Sequence, residues 1–272
     1  MNWIFSIKDM ENAISFYDEN GFVGFSDAIE RKDVTILKDA FDDAVSKGDL
    51  DPAKLVDGND AIFLHPIFEK YSRDERMVSL SKNIFRNENG VQLQHAKLIN
   101  KPKQKGEGLI EWHQDYPFFP HTNLDLIAVG IHFDDENEDS GPMCVVPGSH
   151  KWGFLSHCED NKFAYRCTDK KMKIENAMAM TCPAGTVTIH HCLVLHQSAP
   201  KRNERLRRFL VYQYRTCDNV QLSGVIWNCT GNEISPTKGQ IGTVRFMDGN
   251  IVENRGMGGR LYDKFTKLTS DK

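Results

Sequence analysis

The chain has 272 residues, ordinary apolar content, and charges of both signs that leave a net charge of −4. That size accommodates one large β domain with helical additions, and a net negative charge with no basic block beyond Lys101 to Lys105 and Lys201 to Arg208 argues against nucleic acid or an anionic membrane as the main partner. No apolar run is long enough to span a bilayer, the N-terminus is too short in apolar length for a secretory signal, and the seven cysteines, odd in number and without a Cys-x-x-Cys pair, read as reduced thiols of a cytoplasmic protein.

Met10, Ala13, Ile14 and Tyr17 recur at helical spacing, so Asp9 to Asn20 is predicted as a helix stopped at Asn20-Gly21. Gly21 to Phe25 reads as a first strand. Asp33 is expected to cap a second helix that carries Ile36, Leu37, Ala40, Phe41, Ala44 and Val45 inward and ends at Gly48. Two further helices are expected near His65 to Tyr71 and Asp74 to Lys82. Strands follow at Val91 to Ile99, Leu109 to His113, Leu126 to Phe133, Cys144 to Val146, Gly185 to His190 and Arg207 to Arg215. The polar stretch His157 to Met180 reads as an insertion that can cover a cavity, and the Gly-rich chain from Val225 onward as peripheral structure.

The chemistry centres on Glu111-Trp112-His113-Gln114-Asp115-Tyr116. If the strand continues through Asp115, the His113 and Asp115 side chains share one side of the sheet. An imidazole and a carboxylate side by side make two thirds of a metal site, and His196 is the best third ligand. Two His and one carboxylate on one face of an ion, with the opposite positions open, form the facial triad of non-heme Fe(II) oxygenases. The alternative for an isolated His-x-Asp is a solvated strand. The long separation of His196 from the pair suits a double-stranded β-helix, in which strands remote in sequence line one cavity.

Trp112-His113-Gln114-Asp115, Ser140-Gly141-Pro142, Pro147-Gly148-Ser149-His150, Gly185 through His191, and His196 with Ser198 and Arg207 resemble, in order and spacing, the phytanoyl-CoA dioxygenase family of Fe(II)/2-oxoglutarate oxygenases. The resemblance runs from about Ser15 to Tyr214. It implies a mainly β fold with flanking helices, a jelly roll of the cupin-like kind, and one domain over 1–272: core at about 85–216, helical elements at 1–84, a peripheral segment at 217–272. It also implies Fe(II), 2-oxoglutarate and O2 as cofactor and cosubstrates, with ascorbate as an aid in vitro.

By the same resemblance His113, Asp115 and His196 are the iron ligands. Arg207, eleven residues after His196, pairs with the far carboxylate of 2-oxoglutarate through its planar fork, and Ser198 adds a hydroxyl. Strand alternation then puts Arg207 inward and Arg208 outward. Gln94 is either a contact to cosubstrate or a satisfied buried amide. Gln114 is expected to point away from the metal, and His190 and His191 to support the site from behind. Tyr116, Phe118 and Phe119 are expected to form an aromatic wall, with Gln94, His132 and Arg215 as polar lining; the alternative for His132 is a core histidine, the more common outcome for such a residue.

The implied activity is oxidation of an unactivated C–H bond of a small metabolite, by hydroxylation, desaturation or ring closure, with succinate and CO2 as co-products. Halogenation is not expected, because Asp115 fills the position that halogenases of this kind leave to chloride. The alternatives are an acyl-CoA hydroxylase and a non-catalytic metal-binding sensor domain. The protein is expected to act as a monomer or weak homo-oligomer on a small-molecule substrate, with no nucleic-acid or membrane partner.

Overall fold

The computed structural model describes residues 1–55, 61–87, 90–101, 108–160 and 162–222, with four short strands between residues 229 and 253. Most of the segment expected as peripheral lies outside the described residues. The strands up to residue 222 are β1 (Ile4–Phe5), β2 (Phe22–Phe25), β3 (Val91–Lys101), β4 (Ile110–His113), β5 (Leu126–His132), β6 (Met143–Val145), β7 (Cys158–Glu159), β8 (Lys162–Phe163), β9 (Met178–Ala179), β10 (Val187–His191), β11 (His196–Ser198) and β12 (Arg207–Thr216). The helices are α1 (Met10–Asn20), α2 (Arg31–Lys47), α3 (Pro66–Ser72) and α4 (Glu75–Phe85).

A large sheet runs β1-β2-β10-β5-β12-β3 and continues into two of the C-terminal strands; a smaller one runs β4-β11-β6-β9. Strands distant in sequence are neighbours, as β12 is to both β5 and β3, and all of these pairs but β1–β2 are antiparallel. This is the double-stranded β-helix of the cupin-like class. The alternation of β5 and β12 divides the large sheet into two chemistries. Ile127, Val129 and Ile131, with Leu210, Tyr212 and Tyr214, join a buried cluster that includes Leu37 and Phe41 of α2 and Phe68 of α3. Phe209, Val211 and Arg207 turn the other way and line a cavity.

The helices are fastened to that outer face by specific groups as well as by apolar contact. The buried Tyr212 and Tyr214 hydroxyls donate to the carbonyls of Phe68 and Ser72 at 2.6 and 2.7 Å. Gly21 closes α1 in the left-handed region at φ 81°, and a Cβ there would stand 2.4 Å from the His150 ring and Val194, so glycine is required twice over.

The cap of α2 differs from expectation. Glu30 is the N-cap and Asp33 is the third helical residue, returning a bond to the Glu30 N–H in a capping box. Asp33 is held in place because it also accepts from Tyr71 and Arg76, each at 2.6 Å, tying α2 to α3 and α4.

The basic runs are only partly surface features. Lys101, Lys201 and Arg207 are almost completely buried, and Lys101 Nζ donates to the Ala199 carbonyl. All six described cysteines are free. No helix among the described residues is long and apolar enough to cross a membrane.

Candidate metal centre and its cavity

β4 ends at His113, and β11 brings His196 directly opposite it in antiparallel register. Asp115 is not on the strand: at φ −70° and ψ −37° it begins the short 3-10 turn Tyr116–Phe118. Strand alternation therefore does not aim the carboxylate. The turn does, by folding the chain back so that Asp115 Oδ1 lies 3.8 Å from His113 Nε2 and 3.9 Å from His196 Nε2. One ligand atom from each residue fits within 4.8 Å of the other two, close enough to share an ion.

The orientation of all three groups is fixed from behind. His113 Nδ1 lies 2.8 Å from the Glu111 carbonyl and His196 Nδ1 lies 2.9 Å from the Val194 carbonyl. Both rings thus spend their Nδ1 proton on backbone and offer the Nε2 lone pair to the site. The two oxygens of Asp115 are divided in the same way. Oδ2 accepts from Gln213 Nε2 at 3.0 Å and lies 3.3 Å from His190 Nε2, while Oδ1 faces the two imidazoles.

Electrostatics favour the ligand-competent protonation states. Burial alone would push the Asp115 carboxyl up, but the Lys97 ammonium, the His190 hydrogen bond and His196 outweigh it and hold it well below the usual carboxylate range. Burial pushes both His113 and His196 down, with Asp115 only partly opposing, so both stay neutral at ordinary pH. An anionic carboxylate beside two neutral imidazoles is the donor set a divalent iron requires, so the residues fit the cofactor that the sequence implies.

The triad opens onto a cavity of about 260 Å³, lined by Phe118, Phe119, Tyr165, Met143, Phe209 and other apolar residues, with Lys97, His190, Gln197, Ser198 and Arg207 as polar members beside the triad. Ser198 Oγ is buried with no hydrogen-bond partner. A buried hydroxyl without a partner, beside a buried guanidinium in the same cavity, is what an absent carboxylate would satisfy. Arg207 turns inward, while Arg208 binds Asp134 and stacks over Phe41 at 5.3 Å.

Several expected positions fall elsewhere. Gln94 does not line the cavity: its amide is engaged by Gln221 and His121, which makes it a satisfied buried amide and not a cosubstrate contact. His132 is fully buried between Glu136 and Thr188, and Arg215 donates to the Asn219 carbonyl; neither reaches the cavity. Tyr116 packs on Leu126, Cys192 and Leu193 and donates to the His121 carbonyl, so only Phe118 and Phe119 of the expected aromatic wall stand there. Gln114 points away as expected, bonding Gly153, Leu193 and Leu155.

Sequence reasoning missed Lys97, Tyr165, Gln213 and Glu136. Lys97 lies on the alternation that also carries Ile99 inward, a signal present in the sequence. Tyr165 arrives from the expected covering insertion, where β7 and β8 form a hairpin, and its φ of 57° is a left-handed value uncommon outside glycine.

A double-stranded β-helix whose mouth presents two His and one Asp defines the class of cupin-like proteins built for a facially bound metal. The model of the phytanoyl-CoA dioxygenase (PhyH) family matches residues 17–209, and the chain belongs to that family. Among curated relatives, a probable alpha-ketoglutarate-dependent hypophosphite dioxygenase from Stutzerimonas stutzeri is 35% identical over 158 residues, 56% of this chain and 54% of that one. L-proline trans-4-hydroxylase from Streptomyces griseoviridis is 27% identical over 144 residues, 43% of this chain and 53% of that one. The chain thus spans about half the length of these two relatives. Among solved structures, the alpha-ketoglutarate-dependent carbocyclase SnoK from nogalamycin biosynthesis aligns over 89% of this chain and 97% of its own, with a TM-score of 0.65 and 18% identity. EctD from S. alaskensis with bound Fe aligns over 85% and 87%, with a TM-score of 0.63 and 18% identity. At such identities the structural likeness establishes the fold.

Proposed function

We propose that the protein is an Fe(II)- and 2-oxoglutarate-dependent oxygenase that oxidises an unactivated C–H or comparably unreactive bond of a small molecule. The observation that carries this reading is the convergence of His113 Nε2, Asp115 Oδ1 and His196 Nε2 at the wall of a cavity that also holds Arg207 and Ser198. Iron with 2-oxoglutarate and O2 supplies the oxidant and releases succinate and CO2.

The chain's own residues do the rest. Asp115 stays anionic and the two imidazoles neutral, so the ligands need no prior proton loss to bind the metal. Arg207 and the unpartnered Ser198 hydroxyl hold the far carboxylate of the cosubstrate, fixing its reach to the metal. Phe118, Phe119, Phe209 and Tyr165 keep bulk water from the reacting bond. A cavity of about 260 Å³ that must also admit the cosubstrate suits a compact substrate better than an acyl-CoA. The substrates named for the two curated relatives above, hypophosphite and L-proline, are compact as well. Reduced thiols fit a cytoplasmic enzyme, acting as a monomer or weak homo-oligomer.

The test is succinate formation from 2-oxoglutarate by purified protein with Fe(II), ascorbate and a pool of small metabolites, with mass detection of a substrate that gains one oxygen or loses two hydrogens. Metal and 2-oxoglutarate binding without turnover of any pool would instead support a binding domain.

A further inference from the structure

Lys97 and Arg207 are the two basic side chains, histidines aside, among the described residues that line the cavity, and the proposed reaction has not used Lys97. Its side chain lines the cavity from β3, with the ammonium 5.2 Å above the Phe119 ring centroid. It makes no hydrogen bond or ion pair with a described residue, and Asp115 lies beyond ion-pair reach. A cation so placed costs free energy unless something in the site offsets it. Phe119 recovers part of that cost.

Register shows which ligand Lys97 can and cannot serve. Lys97 pairs with Val211 and Lys101 with Arg207. Lys97 and Arg207 are therefore four residues apart along the sheet, about 13 Å at about 3.3 Å per residue. Two residues from Val211 in the other direction is Gln213, which holds Asp115. Lys97 thus stands at the metal end of the cavity, remote from the guanidinium that meets the cosubstrate's far carboxylate. Charge balance points the same way. The metal's two charges and Arg207 are matched by Asp115 and the two carboxylates of 2-oxoglutarate, and the buried Glu136 is already matched by His132 and the cations around it. Among the cations that line the cavity, Lys97 is the one this balance leaves without a counter-charge.

We propose that Lys97 binds an anionic oxygen group of the substrate, a carboxylate or small oxyanion, and holds it beside the metal. The substrate is then a compact anion or zwitterion whose reacting bond lies within a few atoms of its charge. Neutral molecules of the same shape leave the Lys97 ammonium without a counter-charge and bind poorly. This inference rests on the oxygenase reading and narrows its substrate class. Burial pushes the Lys97 ammonium down while Asp115 opposes, a balance that a second anion would tip further toward the charged form.

The experiment is anaerobic calorimetry on the Fe(II)-loaded protein, wild type, Lys97→Met and Lys97→Arg. The first titrant is 2-oxoglutarate; the second, onto the 2-oxoglutarate complex, is hypophosphite or acetate, with acetamide as the neutral match for acetate. The expected result is unchanged 2-oxoglutarate affinity in all three proteins, which also reports that the variants are folded. Anions bind saturably to wild type and Lys97→Arg, at least tenfold more weakly to Lys97→Met, and acetamide binds to none. Anion binding that is absent from wild type, or equal in Lys97→Met, overturns the inference while leaving the oxygenase reading intact. A 2-oxoglutarate affinity that falls tenfold in Lys97→Met also overturns it, by assigning Lys97 to the cosubstrate. Failure of wild type to bind 2-oxoglutarate removes both readings together.

Discussion

Arg207 and Glu136 meet edge to edge, Nε to Oε1 at 2.8 Å and Nη2 to Oε2 at 2.9 Å, with both side chains buried. This pairing occupies one edge of the guanidinium and leaves the Nη1 side for a ligand. Glu136 therefore aims Arg207 without consuming it, and His132 holds the same carboxylate from its other side. Arg207→Ala should raise the dissociation constant of 2-oxoglutarate on the order of a hundredfold and strip the buried Glu136 of its bidentate partner, leaving it His132 alone and lowering stability by about 3 kcal/mol. Glu136→Gln should weaken cosubstrate binding by a smaller factor, on the order of tenfold, because the guanidinium survives but loses its aim. Fluorescence or calorimetric titration with 2-oxoglutarate, beside thermal melting, checks both; an unchanged constant in Arg207→Ala would remove the arginine from the cosubstrate site.

The same cluster makes stability depend on pH. Burial alone would lower the His132 pKa, but Cys182 and Glu136 beside it outweigh this and raise it to about 9. A raised folded-state pKa contributes stability that is full below the unfolded value, about 6.5, and is lost as pH rises through the folded one. Lys101, lowered to about 7 by burial and then by Arg207, works in the opposite sense but is common to wild type and variant. His132→Asn should accordingly melt lower than wild type at pH 6, with the gap narrowing toward pH 9.5. A gap that is constant across that range would show that His132 carries no proton-linked stability.

Asp33 joins three helices through a capping bond, the Tyr71 hydroxyl and Arg76. Burial opposes ionisation, but Arg76, Tyr71 and the Glu30 N–H hold the carboxyl at about 2. Asp33→Ala should cost about 2–3 kcal/mol in urea unfolding, because it strands a buried phenol and part of a guanidinium. The wild-type advantage should vanish as pH falls from 4 through about 2, the sign expected for a depressed carboxyl. Metal affinity should not change, since the helices lie on the face of the sheet away from the site.

Gly130 lets Phe209 reach the cavity. A Cβ at that position would stand 2.1 Å from the Phe209 ring. Gly130→Ala must push the ring toward the cavity, at about 1–3 kcal/mol in stability. Weaker binding of 2-oxoglutarate with unchanged metal affinity is the expected signature; wild-type values for both would mean that the ring can yield without cost.

The site's composition was legible in the sequence more readily than its geometry. His113, Asp115 and His196 could be grouped from residue type, order and family resemblance, and the inward turn of Arg207 from that resemblance, with strand alternation then sending Arg208 outward. Yet Asp115 joins the two histidines by a different route from the one its spacing suggests: the strand ends at His113, and a 3-10 turn at Tyr116-Pro117-Phe118 brings the carboxylate round. Local spacing describes strands well and describes a chain leaving a strand poorly. Glu136 was hidden for a different reason: within Asp134 to Asp139 it looks like one more acidic residue of a solvated turn, and only the fold brings it beside Arg207. Gln94 was open between a cosubstrate contact and a satisfied buried amide, and His132 between cavity lining and a core histidine, because sequence shows neither residue's partners. Inward is not the same as exposed to the cavity, since partners such as Gln221 and Glu136 intervene.

The most direct test of the central claim is anaerobic calorimetric titration of Fe(II) into the wild-type protein and the His113→Ala, Asp115→Ala and His196→Ala variants, each shown to be folded by its melting curve. One tightly bound ion per wild-type chain, lost or weakened on the order of a hundredfold in each variant, is the predicted result. Equal one-site binding in wild type and all three variants would contradict a metal centre at these residues.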